Sequence, residues 1–557
     1  MKKSTDDGLT FVNSGPGQPN ALGVGKTKLA VSANQPDWVY AIYISKSNPY
    51  ATLGVYRSTD NGANWAAQNT TTNIGGGQGW YNLSLAADPD NASILVAGGV
   101  SLWRSTDAGV NFGVVASNVH VDHHAIAYES GSTNNLWVGS DGGIWKSTND
   151  GATFPIERNT GLVTYQFYDI CVNNNISTAY YVMGGTQDNG TDKWSGTTTW
   201  ANGLGADGMV CNINPANGTT VFAEIQFGGQ RRNTTSGVGA YSTIMTGITG
   251  TAAWVAPVAE RASPGNNLFT STGNGIFRTT DAGSNWTNVD AVAATWISVS
   301  LVNGDYVWTV SGAPRYSTDN GSTWATAGAY GFIPSGATKI LAHPTDLNSV
   351  FVTFNSYAAT AKVALSTDLG ATWADVTGDL PPQPVNAIAV YPSAPTQWFI
   401  GTDTGVWTSE NGGVNWLPFE VGLPNVVVLD LEIQDSLQKL VAGTHGRGTW
   451  EVDIPSLLTG VEVANGNVSR NMMLDAPFPN PVTDRTLLRY AAKSGSKVTL
   501  AVYDVQGRLV NDLADFETGD GVIRTTPWFT DGAPSGVYFA VLKAGEESIS
   551  RKIVVTR

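Results

Sequence analysis

Residues 58–65 read STDNGANW, a string that joins an acidic side chain, a glycine and a terminal tryptophan. The pattern Ser/Thr-x-Asp-x-Gly-x-x-Trp/Phe has full copies at 4–11, 58–65, 105–112, 279–286, 317–324 and 366–373, and weaker copies at 147–154 and 409–416. The aspartate can accept hydrogen bonds from backbone N–H groups of its own turn, and the glycine can adopt a positive φ. We therefore predict a structural role for Asp6, Asp60, Asp107, Asp281, Asp319 and Asp368.

A second repeat has the same period. Alternating apolar segments begin near residues 28, 82, 124, 166, 208, 252, 296, 338, 386 and 428. After each segment the pattern predicts a second strand, a tight turn, a third strand, the aspartate turn and a fourth strand. A period of about 42–44 residues with four strands per unit is typical of a β-propeller. We predict an all-β propeller of about ten four-stranded blades over residues 1–455, with a truncated N-terminus.

Two arrangements of these blades stay open. In the first, the N-terminal strand completes the last blade, which lacks a fourth strand, and closes one ten-bladed ring. In the second, the blades are part of two stacked seven-bladed rings.

Composition excludes several classes of protein. Only 13% of the 557 residues are charged, and the formal net charge is −15. Such a chain is a poor binder of nucleic acid or anionic membranes. It contains no run of 18 apolar residues, so we expect no transmembrane segment. The start, MKKSTDDGLTF, has no apolar h-region and is not a signal peptide.

Cys171 and Cys211 lie in the apolar segments FYDICVN and DGMVCNIN. We interpret them as two small buried hydrophobic residues in preference to a disulfide.

The composition changes near the C-terminus. A polar linker is predicted over 456–473, and residues 474–557 then hold ten acidic and ten basic side chains. The segments TLLRYAA, VTLAVYD, GVYFAVLKA and SISRKIVVT alternate between apolar and polar residues. We predict a small, Ig-like antiparallel β-sandwich over 474–557.

The aspartate-turn repeats resemble the Asp-box (BNR) propellers. This group includes sialidases, xyloglucanase-like glycoside hydrolases with paired seven-bladed rings, and the ten-bladed luminal domain of sortilin (VPS10). The run GGQGWY, VHVDHH, SDGGIWKS, GGTQDNGT and GADGM is similar to large secreted proteins of the sortilin-like or xyloglucanase-like kind. In these families the box lies on the face opposite the active site. A sialidase would need an arginine triad, and the candidate face offers mainly Arg231 and Arg232.

The C-terminal segment resembles the type A sorting domain of the type IX secretion system. The matching blocks are APFPNPVTD (476–484), VYDVQGRLV (502–510), PSGVYFAVLKAG (534–545) and KIVVTR (552–557). The resemblance implies the type IX machinery as a partner and a secreted or outer-membrane surface-anchored protein. Members of that family carry an N-terminal Sec signal, so we expect it to have been removed with upstream sequence, or the chain to be a fragment.

Candidate functional residues concentrate on one face, in the loops that lead into first strands and in the turns between second and third strands. Asp141, Asp188 and Asp207 are candidate catalytic carboxylates of a glycosidase, with Asp122 as a further candidate. Asp-Gly and Asp-Asn-Gly are also ordinary turn sequences, which is the alternative. Candidate ligand-binding residues, which could instead pack between blades, are Gln78, Trp80, Tyr81 and Tyr165.

The string HVDHH contains three of the five histidines. In an extended segment His120, Asp122 and His124 would point to one side and could bind a metal ion. The alternative is a polar loop that hydrogen-bonds neighbouring blades. This interpretation requires no cofactor. The group that these three residues could bind is a metal ion.

Two functions follow from these observations. The first is a secreted or cell-surface propeller that binds, and as an enzyme would hydrolyse, a polysaccharide in a xyloglucanase-like manner. The second is a non-enzymatic surface or adhesion protein that binds protein or peptide in a sortilin-like manner. Facing carboxylates with exposed aromatic residues favour the first function, and a closed ten-bladed ring with an apolar tunnel favours the second.

Overall fold

The structure is a computed structural model of the chain. It describes residues 1–47, 49–115, 118–132, 134–197, 199–262, 265–332, 336–419, 422–454, 472–474, 477, 480–483, 485–492, 497–516, 524–545 and 547–556. Within these ranges nearly all regular elements are strands, and the two short 3₁₀ turns are Ala21–Gly23 and Asp435–Leu437. No helix among the described residues is long and apolar enough to span a membrane.

Ten consecutive antiparallel sheets make up residues 24–453, nine with four strands and the last with three. We number these sheets blades 1 to 10 in chain order. Their first strands are Val24–Ser32, Ser84–Ala87, His123–Tyr128, Phe167–Val172, Gly208–Ile213, Val258–Glu260, Trp296–Val299, Gly336–Ala342, Val385–Val390 and Val428–Gln434. Their second strands are Gln35–Ser45, Leu95–Gly98, Leu136–Ser140, Val182–Thr186, Val221–Ile225, Leu268–Thr272, Val307–Val310, Val350–Asn355, Trp398–Thr402 and Lys439–Thr444.

The outer strands complete each blade. The third strands are Thr52–Ser58, Leu102–Ser105, Gly143–Ser147, Gly190–Trp194, Gly229–Asn233, Gly275–Thr279, Arg315–Ser317, Val363–Ser366, Gly405–Ser409 and Thr449–Asp453. The fourth strands of blades 1 to 9 are Ala66–Asn69, Gly113–Val114, Ile156–Glu157, Ala201–Leu204, Ser242–Thr243, Thr287–Asp290, Ala325–Thr326, Ala374–Asp375 and Leu417–Pro418. The predicted all-β propeller is confirmed, and most first strands begin within a few residues of their predicted positions.

Blades 4 to 10 close into a ring of seven. Each first strand packs against the next, and the first strand of blade 4 packs against that of blade 10. At this closure Ile170 N donates to Asp430 Oδ2 at 3.1 Å, and Gln434 Nε2 donates to the carbonyl of Asn173 at 3.3 Å. The alternative of a single ten-bladed ring is therefore wrong.

Blades 1 to 3 form an arc outside this ring, with their first strands packed in sequence order. The N-terminal strands Lys2–Lys3 and Val12–Asn13 pair with each other rather than with blade 10. The residues after them bind blade 1, where Gly15 N donates to the carbonyl of Gly62 at 3.0 Å. The prediction that the N-terminal strand completes the last blade is wrong.

The aspartate turns have the hydrogen bonds expected of a local structural motif. Asp60 Oδ1 accepts from Ser58 Oγ and Asn64 N, each at 2.8 Å, and Ser58 Oγ accepts from Gly62 N at 2.7 Å. Asn61 and Gly62 have φ values of 54° and 82°, which the turn requires. Equivalent hydrogen bonds surround Asp6, Asp107, Asp281, Asp319 and Asp368.

Cys171 and Cys211 form a disulfide between the first strands of blades 4 and 5, with Cα atoms 5.8 Å apart. The prediction that they are unpaired is wrong. They are separated by 40 residues, close to one blade repeat, so they occupy similar positions in adjacent first strands.

The C-terminal region is a two-sheet antiparallel sandwich, as predicted. One sheet has the strand order Met472–Leu474, Arg485–Ala492 and Arg524–Phe529. The other has the order Leu509–Phe516, Val498–Asp504, Gly536–Ala544 and Glu547–Val555. Trp528, Leu488 and Leu542 lie in its core. Met472 and Met473 belong to the first strand, whereas they were predicted in the linker; the other linker residues, 456–471, lie outside the described residues.

Candidate functional site

One cleft, with a volume of 770 Å³, lies where the arc meets the ring. Loops and turns of blades 2 and 3 supply one side, and those of blades 4 to 6 supply the other. Of the predicted residues, the cleft is lined by Gln78, Trp80, Tyr81, Asp122, Asp141, Asp188 and Asp207. The structure therefore brings together all three candidate catalytic carboxylates.

Asp141 occupies the turn between the second and third strands of blade 3. Its side chain is 10% exposed, and both of its carboxylate oxygens are hydrogen-bonded. Oδ1 lies 2.7 Å from His124 Nε2, and Oδ2 accepts from the hydroxyl of Tyr81 at 3.1 Å. These two contacts fix the orientation of the carboxylate plane, and each carboxylate oxygen accepts one hydrogen bond.

Asp188 occupies the equivalent turn of blade 4 and has a φ of 62°. Its backbone N–H donates to Asp207 Oδ1 at 2.8 Å, and its carbonyl lies 2.9 Å from His120 Nε2. Next to it, Asn189 Nδ2 donates to the carbonyl of Asp141 at 3.1 Å. The two turns are therefore joined across the boundary between the arc and the ring.

The environment of Asp188 favours its protonated form. Burial is the main cause that raises the pKa of this carboxyl to about 7, and the negative charges of Asp141 and Asp207 add to it. The pKa of Asp122 is also raised, first by burial and then by Asp141. A carboxyl that is half protonated near neutral pH can donate a proton in a reaction.

Aromatic side chains border these carboxylates. Trp80 is 60% exposed, and its ring lies 5.6 Å from that of Tyr81. On the other side, Trp254 lines the cleft and packs edge-on against Phe227 at 5.1 Å. Such surfaces can stack against a flat apolar ring face of a ligand.

Tyr165 does not line this cleft. Its ring packs at 6.2 Å from that of Phe167, and its carbonyl accepts from Gly446 N at 2.9 Å. The structure therefore does not place Tyr165 in this cleft with Trp80 and Tyr81, and its backbone carbonyl binds blade 10.

The predicted metal trio is also not assembled. Asp122 has a φ of 64°, so the segment is not extended there, and the side chains of His120, Asp122 and His124 bind different partners. His120 contacts the Asp188 carbonyl, His124 contacts Asp141, and Asp122 accepts from Gln78 Nε2 at 3.0 Å. Within the described ranges, no group of three or more His, Cys, Asp or Glu side chains is placed to hold a metal ion.

Sequence reasoning missed several residues of the cleft, which are Thr164, Gln166, Gln187, Asn189 and Trp254. Trp254 was assigned to a strand beginning near residue 252, but the first strand of blade 6 is Val258–Glu260. The sequence did contain a signal for Gln187 and Asn189, because both flank the predicted residue Asp188 in the same turn.

Comparisons with known proteins find one family in the C-terminal region and one relative over a short stretch of the chain. Residues 476–556 match the family described as the secretion system C-terminal sorting domain. A xyloglucanase of Hypocrea jecorina (strain QM6a) is 34% identical over an alignment of 128 residues that covers 19% of this chain and 15% of that protein. The chain therefore aligns with much less than two thirds of this relative.

Two solved structures resemble the chain at low identity. A GH74 enzyme of Niastella koreensis is 15% identical, with a TM-score of 0.21 over 77% of this chain and 90% of its own. PorZ, a surface component of the type-IX secretion system of Porphyromonas gingivalis, is 14% identical, with a TM-score of 0.41 over 95% and 81% of the two chains. The family match, in contrast, is a match of sequence over residues 476–556, and it identifies the C-terminal sandwich as a secretion-system sorting domain.

Proposed function

We propose that this protein is a secreted or cell-surface β-propeller whose cleft binds a polysaccharide and hydrolyses it in a xyloglucanase-like manner. The observation that carries the proposal is the pairing of Asp188, whose pKa is raised to about 7, with Asp141, which accepts hydrogen bonds at both oxygens. Glycoside hydrolysis uses one protonated and one ionised carboxyl on either side of the scissile bond.

Each residue has a role in this mechanism. Asp188 donates its proton to the glycosidic oxygen as the bond breaks. Asp141 is the second carboxylate: it either takes a proton from the water that attacks the anomeric carbon, or bonds to that carbon itself and is released when water later attacks. The exposed ring of Trp80 stacks on a sugar next to the bond that is cleaved. The 34% identity to part of a xyloglucanase supports xyloglucan as the first substrate to test.

The test is a reducing-sugar assay on xyloglucan, combined with glycan-array binding. We expect Asp188→Asn and Asp141→Asn to lower kcat by about 100- to 10,000-fold, as loss of a general acid or base does. Retained turnover in either variant would contradict the assignment of that carboxylate. Absence of both binding and hydrolysis in the unaltered protein would contradict the function itself.

Asp319→Ala is the control, because Asp319 lies in the turn between the third and fourth strands of blade 7 and does not line the cleft. Asp319 accepts from Thr323 N at 2.8 Å within its own turn. This variant should melt at a lower temperature and keep its activity per folded molecule. Loss of activity in Asp319→Ala without loss of folded protein would show that carboxylate substitutions act on the cleft from a distance.

The sortilin-like alternative has less support. It was tied to a ten-bladed ring with an apolar tunnel, whereas the ring has seven blades. A cavity of 310 Å³ bordered by first strands of the ring has a mixed lining, in which the charged side chains of Asp169, Lys339 and Asp430 stand among apolar residues.

We further propose that the sorting sandwich directs export through the type IX machinery. Deleting residues 472–557 in a host that has this machinery should leave the protein in the periplasm. Cell fractionation with an antibody against the propeller measures the outcome, and surface delivery of the truncated protein would contradict the proposal.

A further inference from the structure

His124 is an extra residue in its strand. In blade 3, His123 pairs with Ser140 and Ala125 pairs with Gly139, so no partner residue stands opposite His124. A β-bulge of this kind bends the strand locally and redirects a side chain. Here it directs the imidazole at Asp141, with Nε2 at 2.7 Å from Oδ1.

The same bulge recurs in blades 1, 4, 9 and 10. The extra residues of blades 1 and 10, Gly25 and Leu429, have no side-chain donor, whereas those of blades 4 and 9 are polar. In blade 4 the extra residue is Tyr168, whose hydroxyl donates to Oε1 of Gln187. In blade 9 it is Asn386, whose Nδ2 donates to Oδ1 of Asp403 at 2.9 Å. In blades 3, 4 and 9 the extra residue binds the first residue of the turn between the second and third strands. Three blades therefore use the bulge to hold a turn side chain.

Blade 9 repeats the arrangement of blade 3 most fully. Asp403 accepts from Asn386 at Oδ1 and from the hydroxyl of Tyr357 at Oδ2. Asp141 accepts from His124 and Tyr81 at the same two oxygens. Blade 9 thus contains the same contacts with an amide in place of the imidazole, and Asp403 does not line the cleft.

We infer that His124 is a positioning residue that fixes the Asp141 carboxylate for the chemistry of the cleft through the Nε2 hydrogen bond. The inference rests on the proposed hydrolytic function. A donor at this position and Tyr81 at the other oxygen together fix the rotation of the carboxylate about its Cβ–Cγ bond. Because an amide serves in blade 9, the hydrogen bond is the requirement at residue 124, and the imidazole ring itself is replaceable.

The test compares two substitutions at residue 124 by their kcat and KM on xyloglucan. His124→Ala removes the donor, and we expect kcat to fall about 10- to 100-fold with KM little changed, as for other residues that orient an active group. His124→Asn copies blade 9, and we expect it to restore most of the turnover lost in His124→Ala. Equal loss in both variants, or no loss in His124→Ala, would overturn the inference.

Asn386→Ala is the matched control, because it removes the equivalent donor in blade 9. We expect its melting temperature to fall about as much as that of His124→Ala, with kcat unchanged. A fall in kcat in Asn386→Ala would mean that bulge contacts act through general stability, and this would also overturn the inference.

A second measurement separates this inference from the proposed function. The chain has five histidines, so ¹⁵N-histidine labelling gives few signals. The signal removed by His124→Asn identifies His124, and Asp141→Ala should change its ring-nitrogen shifts. If the unaltered protein hydrolyses no polysaccharide, the proposed function is contradicted. An unchanged His124 signal in Asp141→Ala would contradict the contact between His124 and Asp141, and with it the inference, whether or not the protein is active.

Discussion

At the residue scale, the pKa of Asp188 predicts how turnover depends on pH. A general acid must be protonated, so turnover should fall as the pH rises through a pKa of about 7. Burial is the main cause of this value, and the negative charge of Asp207 raises it further. Asp207→Asn removes that charge, lowers the pKa of Asp188 and should move the alkaline limb of kcat/KM to lower pH.

The control for Asp207→Asn is Asp403→Asn, since Asp403 lies in blade 9 and does not line the cleft. It should leave the pH profile unchanged. An alkaline limb that stays in place in Asp207→Asn, or moves to higher pH, would contradict the assignment of Asp188 as the acid.

The sequence predicted much of the cleft because equivalent positions in successive repeats converge on one rim. Asp141, Asp188 and Asp207 could be chosen in this way without a structure. The metal prediction failed because the positive φ of Asp122 was not visible in the string HVDHH. The position of His124 depends on a bulge, and bulges are set by strand register, which one sequence does not reveal.

At the element scale, the repeat period predicted the blades because each blade repeats the same apolar strand segments and, in most blades, the same aspartate turn. The turn around Asp60 is closed by its own side-chain and backbone hydrogen bonds, so a short string specifies it. Blade 6 was predicted less well, because the apolar segment AAWVAP (252–257) was interpreted as the start of a strand but is a loop that precedes Val258–Glu260. The position of Trp254 in the cleft, rather than in a strand, explains this error.

The disulfide shows which signal was available and not used. Cys171 and Cys211 lie about one repeat apart, and first strands of adjacent blades are neighbours in a ring. Once a propeller is predicted, a spacing of about one repeat therefore indicates that the two cysteines lie close together in neighbouring first strands. Apolar surroundings alone could not distinguish a pair from two separate thiols.

At the scale of the whole molecule, the sequence left the number of blades in a ring open. Ring size depends on the angle between neighbouring blades, and the repeats that form each blade do not encode that angle in a short motif. The structure closes the ring between blades 4 and 10, where the strand pairing found among the described residues is the isolated bridge between Gln166 and His445. Side-chain contacts therefore contribute much of what holds this seam.

Lys339 of blade 8 is the central charged group at this closure. Its ammonium forms an ion pair with Asp430 of blade 10 and lies 3.8 Å from Asp169 of blade 4. It also lies 4.1 Å from the ring centroid of Trp296. The Lys339 side chain is only 12% exposed, so its removal would leave two carboxylates buried near each other without a cation.

We therefore expect Lys339→Met to lower the free energy of unfolding of the ring by about 3–5 kcal/mol, the usual effect of removing one partner from a buried ion pair. Urea unfolding measures the loss, and hydrogen exchange should rise first in strands Phe167–Val172 and Val428–Gln434 on either side of the seam. Lys439→Met is the control, because Lys439 pairs with Glu451 and Asp453 near the surface of blade 10 and should cost about 1 kcal/mol or less. Similar losses in both variants, or exchange that rises evenly around the ring, would mean that the seam is not held by Lys339.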